Sequence, residues 1–343
     1  MTQIDTITDV SSDLDSWLPD ILHLTHPKAP QITRDYIDGR RNDNTRGAYV
    51  RILKAFLQWT ERSEFDLLAD ISTAHVSNYV KGLQRAHPRP NKTDLSARTR
   101  AQVLACLRGY FDALVRGGAL PANPAASVEN YRLGVNIGHA KPLEATDMGR
   151  LLDHFDPDNL RDLQDRAIVA LMAFSCARVG AVCKMKLESV YEHAGRLHLR
   201  LEEKGSKQHR VPCNPELEDY LRVFIKRAAV PAEDCEKNPA GWLFRRWDKR
   251  RKVLTGRPLT RMICYGMVKR HTGQLGLAGI TNHSFRATGI TTFLASGGAL
   301  DDARRLANHA SVNTTKLYDH RPQAVSTSDV DRIDYRKLSK RPT

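Results

Sequence analysis

Residues 306–320 read LANHASVNTTKLYDH, and residues 283–286 read His-Ser-Phe-Arg. Three intervals matter: His283 to Arg286 is three residues, His283 to His309 is 26, and His309 to Tyr318 is nine. Upstream, residues 165–180 (DRAIVALMAFSCARVG) are an apolar helical run ending at Arg178, and residues 203–212 (EKGSKQHRVP) hold Lys204 at a turn. Taken singly each has an ordinary explanation: a salt-bridge arginine, a solvated turn lysine, a core tyrosine. Their order is what carries information.

Helical periods surround these segments. Residues 161–175 keep Leu163, Ala167, Ile168, Leu171 and Phe174 on one face. Residues 196–201 (RLHLRL) alternate strictly and 208–213 (QHRVPC) form a second extended run, so a tight antiparallel hairpin carries Lys204 and Lys207 at its tip. Helices are expected again over about 216–228, 258–271, 284–295, 300–308 and 311–319. This half reads as an α+β catalytic domain, 147–322, with one small sheet. The first half shows helical patterns over about 44–60, 72–86 and 96–117, the last ending at Gly117-Gly118. It reads as an all-helical domain over 43–133, preceded by an extension, 1–42, with one short helix around Pro19. Residues 134–146 (GVNIGHAKPLEAT) lose the period and form a linker. The chain is thus mainly α, and residues 323–343 follow as a tail.

Composition narrows the partner. Lys and Arg number 53 against 39 Asp and Glu, giving +14 and a pI near 9.6. Such a balance fits a polyanion, because cations that neutralise phosphates release counterions. Residues 241–270 hold ten Lys/Arg and one acid, whereas residues 1–30 hold five Asp and one Lys. The longest apolar run, Ala167 to Phe174, is far short of the roughly 20 residues of a membrane span, and the N-terminus is acidic where a secretory signal is basic. A cytoplasmic, nucleoid-associated protein with no membrane partner is expected. Six scattered cysteines without C-x-x-C spacing argue against a disulfide framework and a zinc site. No cofactor or metal is expected.

The order Arg178, Lys204, His283-x-x-Arg286, His309, Tyr318 resembles the tyrosine recombinases, or phage integrases, over about residues 43–320. The resemblance implies a helical, SAM-like core-binding domain and a DNA breaking-rejoining fold that clamps duplex DNA. It makes Tyr318 the nucleophile of a 3′-phosphotyrosyl intermediate that a second 5′ hydroxyl resolves, without ATP or metal. It implies a homo-tetramer on two paired recombination sites, and a tail that docks on a neighbouring subunit.

The residue chemistry agrees. Metal-free phosphodiester cleavage needs a nucleophile, neutralisation of the phosphorane charge and a proton for the leaving oxygen. Arg178 and Arg286 suit the non-bridging oxygens, since guanidinium forks bind bidentately and stay charged. Lys204 suits the leaving 5′ oxygen, His283 the tyrosine proton and His309 a non-bridging oxygen. Candidate phosphate contacts are Arg46, Arg51, Lys54, Arg98, Arg100 and Arg108 in the first half. In the second they are Lys207, Arg245, Arg246, Arg250, Arg251, Lys252, Arg257 and Arg261.

Two positions depart from the family pattern. An acid commonly lies three residues after the first arginine, where this chain has Ala181, and a glycine commonly precedes the histidine at 309, where it has Asn308. An active integrase or resolvase of a mobile element is the leading reading. The alternatives are a catalytically weakened DNA-binding accessory protein of the same fold and a type IB topoisomerase.

Overall fold

The computed structural model describes residues 17–89, 92–131, 140–203, 207–229, 235–238 and 240–320. The expectations for Lys204, the 323–343 tail and the 134–139 part of the linker lie outside these residues. The chain falls into two compact units, divided between residues 136 and 137.

The first unit contains α1 (Asp20–Thr25), α2 (Ala29–Asp38), α3 (Asp43–Arg62), α4 (Thr73–Gly82), a ladder of β1 (Gln84–Arg89) with β2 (Lys92–Asp94), and α5 (Ala97–Arg116). Side-chain caps set the long helices: Asn42 Oδ1 accepts from the Asn44 and Thr45 amides, and Ser96 Oγ from Thr99. Phe56, Leu53, Leu107, Tyr110 and Phe111 fill the core. Two expectations need correction. Among the described residues, the 1–42 segment carries two helices, not one: α2 buries Ala29, Thr33, Tyr36 and Ile37, and Tyr36 donates to the Cys106 carbonyl on α5 at 2.8 Å. Nor is this half all-helical, because the helix expected to reach residue 86 stops at Gly82 and the chain turns into β1. Gly82 has low helix propensity, and Pro88 disfavours α conformation in the residue before it, so the chain past Gly82 favours the extended run.

The second unit runs α6 (Ala145–Asp153), α7 (Leu160–Phe174), α8 (Val179–Val182), β3 (Val190–His193), β4 (Arg196–Glu203), β5 (Lys207–Pro212), α9 (Pro215–Ala229), β6 (Arg245–Asp248), β7 (Val253–Pro258), α10 (Arg261–Gln274), α11 (Asn282–Ala295), α12 (Leu300–Leu306) and α13 (Val312–Lys316). The sheet order is β3-β4-β5, antiparallel, with Glu203 opposite Lys207 across the hairpin. The single sheet expected is joined by a second ladder, β6 with β7. Its connecting turn is fixed by Asp248, whose Oδ1 accepts from the Arg250 and Arg251 amides at 2.8 and 3.0 Å. The buried face of α7 is the centre of this core, with α9 and α11 packed on it. Among the described residues no helix is long and apolar enough to cross a membrane.

Candidate active site

The site is assembled where α7 ends. Ser175 caps that helix and Cys176 follows at φ 53°, a left-handed turn that delivers Arg178 to the N-cap of α8. Helix α11 crosses α7 so closely that a Cβ on Gly289 would stand 2.0 Å from the Ala173 carbonyl oxygen and 2.8 Å from Cys176 Sγ. Only glycine permits that approach. One turn earlier on α11, Arg286 is buried and donates from Nη1 to the Cys176 carbonyl and from Nη2 to the Ala307 carbonyl. It therefore joins the first arginine segment to the tyrosine segment.

Helix α12 ends in a two-bond reversal, Asn308 N–H to Arg305 O and His309 N–H to Arg304 O, each 3.0 Å. This is a Schellman motif, which needs a left-handed residue at its centre, and Asn308 has φ 49°. Asparagine is the side chain that best tolerates this conformation after glycine, so this departure leaves the turn intact. The reversal buries His309, whose Nδ1 lies 2.9 Å from Thr315 Oγ1 and whose ring stacks on Tyr318 with centroids 5.9 Å apart. Tyr318 follows α13 in a tight turn; the helix expected over 311–319 ends at Lys316. The Tyr318 and Asp319 amides bond back three residues, to Thr315 and Lys316, which narrows the last turn. The tyrosine ring is half-buried against Cys176, Ile290, Leu294, Ala303 and Ala307.

The cluster is strongly positive, and its titrating groups respond. Burial and the Arg178 charge lower the pKa of Arg286, opposed by Cys176, Glu203 and Tyr318. His283 is exposed on the first turn of α11, yet partial desolvation and then the charges of Arg286, Arg178 and Arg261 hold its imidazole below the ordinary range. His309 is pushed down to about 4, by burial first and then by Arg286 and Arg178. Both histidines are therefore neutral at pH 7. The structure brings Arg178, His283, Arg286, His309 and Tyr318 into one cluster.

Sequence reading missed Glu203. In β4, Leu197, Leu199, Leu201 and Glu203 occupy one buried face, so the carboxylate stands in phase with three leucines. It pairs with Arg178 Nη1. Extending the alternation two residues past Leu201 would have flagged it, because an inward acid requires a cation.

The proposed phosphate contacts divide. Arg98, Lys207, Arg250, Arg251, Lys252, Arg257 and Arg261 are exposed, while Arg46, Arg51, Lys54, Arg100 and Arg246 are half-buried. Two turn inward instead. Arg245 is buried, donating to the Glu236 carbonyl at 3.1 Å, and Arg108 donates to the carbonyls of Ala125 and Val128 and to Asn130. Their guanidiniums close loops, which replaces the phosphate role expected of them. Arg261 lies over Gly180, beside the first arginine segment. Asp162, Asp165 and His271 offer ligand atoms within 4.8 Å of one another. Asp165 is already held by Arg270 at 2.6 Å with Arg161 at 3.9 Å, so cations of the protein itself occupy that charge.

Residues 141–324 match the phage integrase family, and residues 34–118 match the phage integrase N-terminal SAM-like domain. Tyrosine recombinase XerD of Corynebacterium glutamicum is 30% identical over 281 residues, covering 81% of this chain and 87% of that protein. A tyrosine recombinase of Pseudothermotoga lettingae is 25% identical, covering 82% and 88%. Among solved structures, a lambda integrase(75-356) dimer bound to a COC′ core site superposes with TM-score 0.61 at 17% identity, covering 86% of this chain and 97% of that one. XerH site-specific recombinase bound to a palindromic difH substrate, in a post-cleavage complex, gives 0.59 at 18% identity, covering 82% and 76%.

Proposed function

The chain belongs to the phage integrase family of tyrosine recombinases, and from that premise we propose a site-specific DNA recombinase that cleaves and rejoins duplex DNA through Tyr318. The observation that carries this reading is the cluster itself: a half-buried tyrosine stacked on a buried histidine, with two arginines and a second, exposed histidine around it.

In this mechanism the Tyr318 hydroxyl attacks phosphorus, the bond to the 5′ oxygen breaks, and a 3′-phosphotyrosyl linkage conserves its energy. His283, neutral at pH 7, takes the phenolic proton. Arg178 and Arg286 hold the non-bridging oxygens. In the tautomer in which Thr315 donates to Nδ1, His309 carries an Nε2 proton for another such oxygen. Lys204 protonates the departing 5′ oxygen. The 5′ hydroxyl of a partner strand then attacks the linkage and frees Tyr318. On this reading the protein acts in the cytoplasm as a homo-tetramer on two paired sites, as the integrase or resolvase of a mobile element.

The test incubates the full chain with nicked suicide duplexes prepared from fragments of its source genome. Covalent protein–DNA adducts are recovered under denaturing conditions. Adducts that vanish with Tyr318→Phe, while DNA binding persists, are expected. Binding without adducts from the natural chain would identify an accessory DNA-binding protein instead. Relaxation that needs no second site would indicate a topoisomerase.

A further inference from the structure

We propose that Glu203 is the positioning residue of Arg178, taking over, at the strand end beside the turn of the lysine hairpin, the carboxylate that position 181 lacks. This rests on the recombinase reading above. Ala181 is itself buried on α8, three residues past Arg178, and its methyl side chain offers the guanidinium no polar atom. Glu203 comes from a different element, the last residue of β4, and reaches Arg178 Nη1 across 25 residues of sequence. Its side chain keeps only 3% of its surface exposed, against 37% for Arg178.

That asymmetry has a direct consequence. A carboxylate buried away from water needs a cation beside it, so Glu203 fixes where the guanidinium sits. The other carboxylate oxygen, Oε1, is buried without a hydrogen-bond partner among the described residues. The pairing is therefore one-pronged, engaging Nη1 and leaving the exposed remainder of the guanidinium for a phosphate oxygen. An unheld arginine would spread over several rotamers, and ordering it would fall to the moment of reaction.

Glu203 is also the residue before Lys204, so one carboxylate registers the first arginine against the hairpin that bears the general acid. The second strand is tethered too: His209 on β5 lies 3.0 Å, through Nε2, from the Leu306 carbonyl on α12. The hairpin is thus fastened near its turn to both the arginine segment and the tyrosine segment, and the Glu203 contact sets the arginine side of that registration.

The experiment is a double-mutant cycle on single-turnover adduct formation, using a suicide duplex selected with the natural chain. Glu203→Gln keeps the shape and removes the charge. It is expected to slow adduct formation by about 10–100-fold, the usual effect of losing an outer partner of a reacting group. In an Arg178→Ala background the same change should cost less than about twofold, because the residue it positions is gone. An equal loss in both backgrounds, or none in either, overturns the proposal. If Glu203→Gln fails to give a cooperative melt, Glu203→Asp carries the test. It keeps the charge but withdraws it by one methylene, and an undiminished rate would overturn the proposal. Absence of adducts from the natural chain would instead sink the recombinase reading, so the two failures are distinguishable.

Discussion

Gly289→Ala is a one-carbon probe of the α7–α11 crossing that places Arg286. The added Cβ would begin 2.0 Å from the Ala173 carbonyl oxygen, and 3.0 Å is a floor that real Cβ contacts respect, so the helices must part by at least 1.0 Å. The obstruction is main chain, with no flexible end to swing aside. Overpacking of this kind costs about 3 kcal/mol at the upper end of its usual range. Alanine returns about 1 kcal/mol in helix propensity. The net loss is about 2 kcal/mol, or roughly 30-fold in a local opening equilibrium. Amide hydrogen exchange of α7 and α11 reads that opening directly. Single-turnover adduct formation should fall further, by about 100-fold, because a displacement near 1 Å misaligns Arg286 against the Cys176 carbonyl and the phosphate. The matched control is Gly149→Ala in α6, whose Cβ would meet nothing within 4 Å. It should be neutral or stabilising by about 1 kcal/mol. Natural exchange and natural cleavage in Gly289→Ala would refute the account of the crossing.

Three further outcomes follow from the site. Asn308→Gly should match or exceed the natural melting temperature, whereas Asn308→Ala should lose about 1 kcal/mol at the left-handed position, measured by denaturant unfolding. His309 binds a proton near pH 4 when folded and near its ordinary 6.5 when unfolded. The unfolded chain therefore takes up the proton first, and stability falls as pH drops from about 6.5 to about 4; His309→Gln should flatten that slope in pH-dependent melts. Lys204→Ala should slow cleavage about 10²–10⁴-fold. A duplex with sulfur at the bridging 5′ position should restore it, because a thiolate leaves without a proton, and the same duplex should leave Tyr318→Phe inactive.

Much of the fold is legible where periodicity is strong. The long helices α3, α5 and α7 and the β4–β5 hairpin follow from apolar residues at helical or alternate spacing. Helix α2 escapes because its inward positions are small or polar: Ala29, Pro30, Thr33 and Tyr36 with a single isoleucine. The β6–β7 ladder escapes for a related reason, since its basic turn reads as a solvated face. Charge also misleads at Arg245 and Arg108, whose long stems let guanidiniums reach main-chain carbonyls inside the protein. In the site, order and spacing mark the residues proposed to react. The Arg178–Glu203 pair joins a helix cap to a strand end, and that relation exists only once the sheet has packed.

The way Arg286 is held bears on what the protein is before it meets DNA. Its hydrogen bonds run to two carbonyl groups, and among the described residues no carboxylate lies within ion-pair distance of it. Carbonyl dipoles orient a cation without cancelling it, and Glu203 acts on it only from beyond ion-pair distance, so the interior of the free protein retains an incompletely compensated charge whose desolvation folding has already met. A phosphate entering the site finds that field already in place, with little reorganisation left to perform. The corollary is a free protein below its own stability maximum, with bound DNA acting as the missing counter-charge and hence as a component of the finished fold.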